Sequence, residues 1–178
     1  MADRVRTRGV LSPDDAARLL LPVAGSLNLL HRSGEAHGSV SPAAVRIDPD
    51  GRARLLAPAE APQDPAYRAP DPNFGLVPHP EAADVWSYGA LLHLVVTGEP
   101  PARPGTEAPG SPDTGWLAPV LAAALQPDPT RRPGIDEVID QLRPRRAHQP
   151  STTTKPEESA AVEQAVPAPV VWQSARRA

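Results

Sequence analysis

The stretch AHGSVSPAAV, residues 36–45, decides how this chain is read, and the elements on either side of it are legible from local chemistry. Upstream, Ser12 followed by Pro13 and Asp14-Asp15 reads as a helix start: a hydroxyl cap, proline at the first helical position, then acids at the positive end of the dipole. Ala16, Leu19, Leu20, Val23, Leu27 and Leu30 recur at the three-and-four spacing of one buried helix face, and Gly34 closes the element. Pro22 lies inside that pattern, removes a hydrogen bond, and predicts a bend or a helix in two pieces. Downstream, VRIDPDGRARLL (residues 45–56) alternates around Pro49-Asp50-Gly51, which predicts a short β-hairpin.

Farther along, residues 57–80 are proline-dense and aperiodic, as an irregular surface segment would be. Helix returns over 82–96, where Ala83, Trp86, Ala90, Leu91, Leu94 and Val95 are apolar on most sides, the pattern of a central helix. A Pro/Gly-rich stretch from Gly98 to Gly115 precedes an apolar helix expected from Trp116 to Leu125, and a last one is expected from Ile135 to Leu142, before Pro144. After Ala147 the chain reads HQPSTTTKPEESAAVEQAVPAPVVWQSARRA, too polar and aperiodic to bury a core, so disorder is expected there.

Composition narrows the function. At 178 residues the chain has room for one ordinary domain and a tail. Without cysteine it has no disulfide framework and no thiolate metal site, and a cytoplasmic setting is the default expectation. A formal charge of -3, with no long Lys/Arg run, excludes the electrostatic footprint of a nucleic-acid binder. The apolar stretches are interrupted by Arg18, Pro22 and His93, short of the roughly 20 residues of a membrane span, and no export signal is read at the N-terminus. With 25 prolines and 3% aromatics, the core must come from Leu, Val and Ala.

Motifs in family order give the chain its resemblance. LLHRSGEAHGSV (29–40), DGRARLLAPA (50–59), AYRAPD (66–71), ADVWSYG (83–89) and PDPTRRP (127–133) resemble, in that order, segments of the C-terminal lobe of bacterial serine/threonine protein kinases. The fold implied is mainly α, a helical kinase-like lobe carrying one short β-hairpin, with no N-terminal lobe before it. The implied organisation is an N-terminal extension over 1–11, the lobe over 12–146 and a Pro/Thr-rich tail over 147–178. In the family's catalytic loop, His-Arg-Asp-Leu-Lys-Pro-x-Asn supplies a base, a phosphate-facing lysine and a magnesium ligand. Set against it, residues 37–44 keep His37, Val40 and Pro42, but Ser39 stands for the aspartate, Ser41 for the lysine and Ala44 for the asparagine. Ala57, Pro58 and Ala59 stand where Asp-Phe-Gly belongs, which removes the main magnesium ligand.

Other positions implied by the resemblance are structural. Asp71 and Arg132 match the family's buried ion pair, with an acid one methylene shorter, and Asp84 matches the helix-F aspartate that accepts backbone N–H bonds from the catalytic loop. A first-turn acid facing the helix dipole is the plainer reading of Asp84. Gly38 replaces the arginine that would read an activating phosphate, and residues 57–71 carry no serine or threonine to receive one. The resemblance therefore implies a pseudokinase, not an enzyme, with no cofactor and no metal, that regulates or binds a protein partner: a signalling protein or a second copy of itself. Alternatives are a truncated or mis-started kinase retaining nucleotide binding, and a decaying gene fragment.

Residues outside those motifs were weighed singly. Ser39 and Ser41 lack the strained turn of a nucleophilic serine, and Ser39 is expected on a solvent-facing loop. His31, His79, His93 and His148 have neither metal-ligand spacing nor acidic partners at helical steps, and are expected exposed or singly packed. An exposed apolar surface is expected around the hairpin and the start of the first helix. In the tail, Thr154 with Glu157 resembles a phosphothreonine site for forkhead-associated domains, against the plainer and favoured reading of an unmodified polar linker, while Trp172 with Arg176 and Arg177 suits a groove or a weak peripheral contact with an anionic membrane.

Overall fold

A 20-residue helix, α1 (Pro13–Arg32), opens the computed structural model, which describes residues 9–71, 79–102 and 114–143 together with Thr7. The chain divides into units 1–146 and 147–178, and the second lies outside the described residues. So do Thr154, Trp172, Arg176, Arg177 and most of the Gly98–Gly115 stretch.

Ser12 caps α1 by accepting the Asp15 N–H, and Asp15 is held below the usual carboxylate range by its hydrogen bonds from Ser12 and then Arg18. At the far end, Gly34 N–H bonds to His31 O at 3.0 Å and Glu35 N–H to Leu30 O at 3.1 Å, the paired bonds that satisfy a helix's last carbonyls. The expected break at Pro22 does not occur: α1 is continuous through it. Proline in a helix interior costs about 3 kcal/mol. Leu20, Val23 and Leu27 are fully buried on this helix, each worth roughly 1.5–3 kcal/mol, and together they outweigh that cost. Pro22 and Arg18, whose carbonyl loses its helical partner, both lie on the exposed side, where water can replace the bond. The buried face is also rotated from the expected one: Ala17 and Ala24 are inside, while Leu19 and Leu30 are half-buried.

The hairpin pairs β1 (Val45–Ile47) antiparallel with β2 (Ala53–Leu55), Val45 opposite Leu55 and Ile47 opposite Ala53. Its turn closes through Gly51 N–H to Asp48 O and Asp48 N–H to Arg52 O, both 2.9 Å, with Gly51 at φ +83°. Val45 and Ala53 bury into the core and Ile47 and Leu55 pack half-buried against it. The hairpin therefore exposes no large apolar side chain, against expectation; among the described residues those that do are Val10, Leu29 and Trp116.

Helix α2 (Pro80–Thr97) is central, buried almost all round from Asp84 to Val96, and packs against both α1 and α3 (Ala118–Ala124). Its Tyr88 hydroxyl donates to Leu20 O at 3.2 Å, and burial holds the phenol far above its ordinary pKa. At Gly89 a Cβ would lie 2.8 Å from the Ala124 Cβ, so glycine is what lets α3 approach α2. The third helix starts later than Trp116: residues 115–117 form a 3₁₀ turn, and Trp116 remains partly outside with its indole N–H on Asp14. Helix α4 (Ile135–Leu142) completes the core by laying Ile135, Val138, Ile139 and Leu142 against α1. No described helix is long and apolar enough to cross a membrane.

The described part of residues 57–80 is irregular and largely exposed, as expected, except where a second, smaller apolar cluster takes in Tyr67 and Ala69. Asp64 caps a 3₁₀ turn over Pro65–Tyr67, which turns Tyr67 and Ala69 inward onto Trp86, Ala90 and Leu94 of α2. Residues 72–78 lie outside the described part of the chain.

Candidate functional site

Two stretches meet over the start of α2 and enclose a cleft of about 200 Å³: the loop 37–44 and the strap 63–71. Asp84 forms the base of the loop. It is 1% exposed, in the second turn of α2, and accepts the His37 N–H at Oδ2 (2.6 Å) and the Gly38 N–H at Oδ1 (2.7 Å). Gly38 sits at φ +72°, where a residue bearing a side chain would be strained. His31, at the end of α1, adds a third contact, Nε2 to Asp84 Oδ2 at 3.0 Å, and since a carboxylate only accepts, Nε2 is the donor. This corrects the expectation that His31 is exposed or singly packed. The two residues are 53 apart in sequence, so helical spacing carries no sign of the pair.

Around that base the loop's own side chains are used up. His37 Nε2 donates to Leu56 O at 2.8 Å, tying the loop to the hairpin's exit, and His37 Nδ1 accepts the Ser39 N–H at 3.2 Å. With its acceptor nitrogen engaged by backbone, His37 is not placed to take a proton from the Ser39 hydroxyl. Ser39 is 8% exposed, so it does not face solvent as expected; its Oγ accepts the Gln63 side-chain N–H. Ser41 is deeply buried, and its Oγ accepts the Ala44 N–H at 3.3 Å as the cap of a 3₁₀ turn, Pro42–Ala44. Ala44 is fully buried and Ala57 exposed; both side chains are methyl groups.

The strap is anchored by Asp71. Arg132 grips its carboxylate with both terminal nitrogens, Nη1 to Oδ2 at 3.1 Å and Nη2 to Oδ1. The remaining N–H groups go to backbone: Nε to Gln126 O (2.8 Å), Nη1 to Ala82 O (3.0 Å) and Nη2 to Pro127 O (3.0 Å). The guanidinium thereby uses its full set of donors, the condition under which a buried charge is tolerated. Between the anchors, burial and then the nearby Asp64 carboxylate push the Tyr67 phenol above its ordinary pKa.

Among the remaining histidines, His93 Nδ1 lies 2.9 Å from Glu99 O and the His79 side chain makes no cap bond at the start of α2; His148 is outside the described residues. Asp48 to Gly51 form the hairpin turn, and among the described residues no cluster of three or more His, Asp or Glu could hold a metal.

The helical core, the hairpin and this ordered set of anchors have known relatives. The chain is 30% identical over 173 residues to the serine/threonine-protein kinase PkaA of Streptomyces coelicolor, covering 78% of this chain and 31% of that one. It is 28% identical over 159 residues to AfsK of the same organism, covering 74% and 20%. Serine/threonine-protein kinase 16 of Rattus norvegicus is 27% identical over 181 residues, covering 79% and 59%. This chain belongs to the protein-kinase-like family. It spans between about a fifth and three fifths of the length of these relatives. The Rad53 kinase domain, in a crystal structure with SCD2, shares the fold at TM-score 0.62 and 19% identity, over 80% of this chain and 60% of that one. The fold is thus a partial kinase-like one. No protein-family model matches the chain.

Proposed function

We propose that this chain is a non-catalytic kinase-like lobe that serves by binding a protein partner. The observation that carries the reading is the state of the loop 37–44: its backbone is held by Asp84, while the side chains at the family's chemical positions are either methyl groups or hydroxyls engaged in local bonds. Phosphoryl transfer draws almost all its acceleration from positioning and from charge stabilisation by magnesium and cationic groups. Magnesium requires oxygen ligands. Ala44 and Ala57, at the two ligand positions of the resemblance, offer no side-chain oxygen, so the donor set does not fit the ion. Ser39, at the base position, has an engaged hydroxyl and no free base beside it.

Titration calorimetry of the full chain with millimolar Mg·ATP tests this reading. No saturable heat is expected; saturation at micromolar affinity overturns it.

A further inference from the structure

The strap is fastened unequally along its length. At one end Asp71 is locked into a buried guanidinium, and in the middle Tyr67 and Ala69 are packed on α2. At the other end, among the described residues, the exposed Gln63 side chain makes a single hydrogen bond, its amide donating to Ser39 Oγ. Ser39 cannot move to follow it: its N–H is bonded to His37, and the two residues before it are bonded to Asp84. A fixed, nine-tenths-buried acceptor thus faces a donor on a segment that reaches solvent.

From this we infer that the Ser39 hydroxyl is the catch of a latch, and that Gln63 closes the strap over the cleft. The strap supplies Gln63, Asp64, Tyr67, Arg68 and Asp71 to the cleft's wall, and Gly38, Ser39 and Asp84 supply the facing side, so releasing Gln63 frees the wall at its Gln63–Asp64 end while Tyr67 and Asp71 keep the rest in place. The inference goes beyond the proposed function and stands apart from it, since it concerns how the cleft is closed rather than whether nucleotide binds.

Hydrogen exchange of the full-length protein, read by mass spectrometry on peptides spanning 60–69, tests the latch. The reporters are the Tyr67 and Arg68 amides, which bond to Asp64 O and Pro65 O within the strap's own turn. Ser39→Ala and Gln63→Ala are each expected to speed their exchange about 2- to 12-fold, the range one net hydrogen bond carries. The double variant should exchange no faster than the faster single, because both remove the same contact. Ser39→Thr keeps the hydroxyl, has the adjoining cleft to receive its methyl group, and should exchange at the parent rate. Parent rates in either alanine variant, or effects that multiply in the double variant, overturn the inference.

Discussion

The loop 37–44 and the strap 63–71 face each other across one cleft, yet they are held by different kinds of bond. The loop is fixed chiefly through its backbone: Asp84 takes the amides of residues 37 and 38, and His37 takes the amide of residue 39. The strap is fixed through side chains, by Asp71 on Arg132, by Tyr67 on α2 and by Gln63 on Ser39. Amide anchors place few demands on which side chains the loop carries. The loop can therefore hold serine or alanine at positions 39, 41 and 44 and keep its path, whereas the strap depends on particular residues.

Breaking the strap's strongest anchor should have the largest effect. Arg132→Ala leaves the buried Asp71 carboxylate without its cation and strips partners from the carbonyls of Ala82, Gln126 and Pro127. Losing one member of a buried ion pair costs about 3–5 kcal/mol. Urea unfolding should show a loss of that size. A loss under about 1 kcal/mol would mean that the pair behaves as a solvated surface bridge.

Asp84→Ala tests the loop in the same assay and should rank second. It strands the buried His37 amide, at roughly 1–3 kcal/mol, and removes the acceptor of His31. Gly38 is exposed and its amide can turn to water, which keeps the total near 2–3 kcal/mol. A result indistinguishable from the parent protein would mean that the amide anchors do not hold the loop, and the contrast with the strap would fail.

Local signals made much of this fold legible. Ser12-Pro13 begins α1, Pro49-Asp50-Gly51 turns the hairpin, and α4 runs from Ile135 to Leu142 because its apolar period and flanking prolines mark both ends. Each of these is decided within a few residues of itself. What local sequence could not carry is what distant contacts decide. Helix α1 runs through Pro22 because Leu20, Val23 and Leu27 find a core to enter, and Tyr67 turns inward because Trp86 and Leu94 await it. At the site, the resemblance pointed to Asp84, Asp71 and Arg132, since fixed motifs mark them. Gln63 belongs to no such motif, and His31, though inside the segment 29–40, is given no partner by it: His31 reaches Asp84 across 53 residues and Gln63 reaches Ser39 across 24. A polar residue that finds its partner only through the fold leaves no periodicity to read.

The smallest effect is expected at Ser41, and it sharpens the contrast most because the residue is buried. A deeply buried hydroxyl that caps a turn would ordinarily be costly to delete, with N-cap serines worth about 0.5–2 kcal/mol. Here the Ala44 N–H that Ser41 Oγ accepts at 3.3 Å also donates to Ser41 O at the shorter distance of 3.0 Å. Ser41→Ala therefore leaves no amide unpaired, and the backbone bond that remains is the one that survives any side chain at this position. The variant should lie within about 1 kcal/mol of the parent in urea, well short of Asp84→Ala. A loss equal to that of Asp84→Ala would show that side-chain identity governs the loop as it governs the strap.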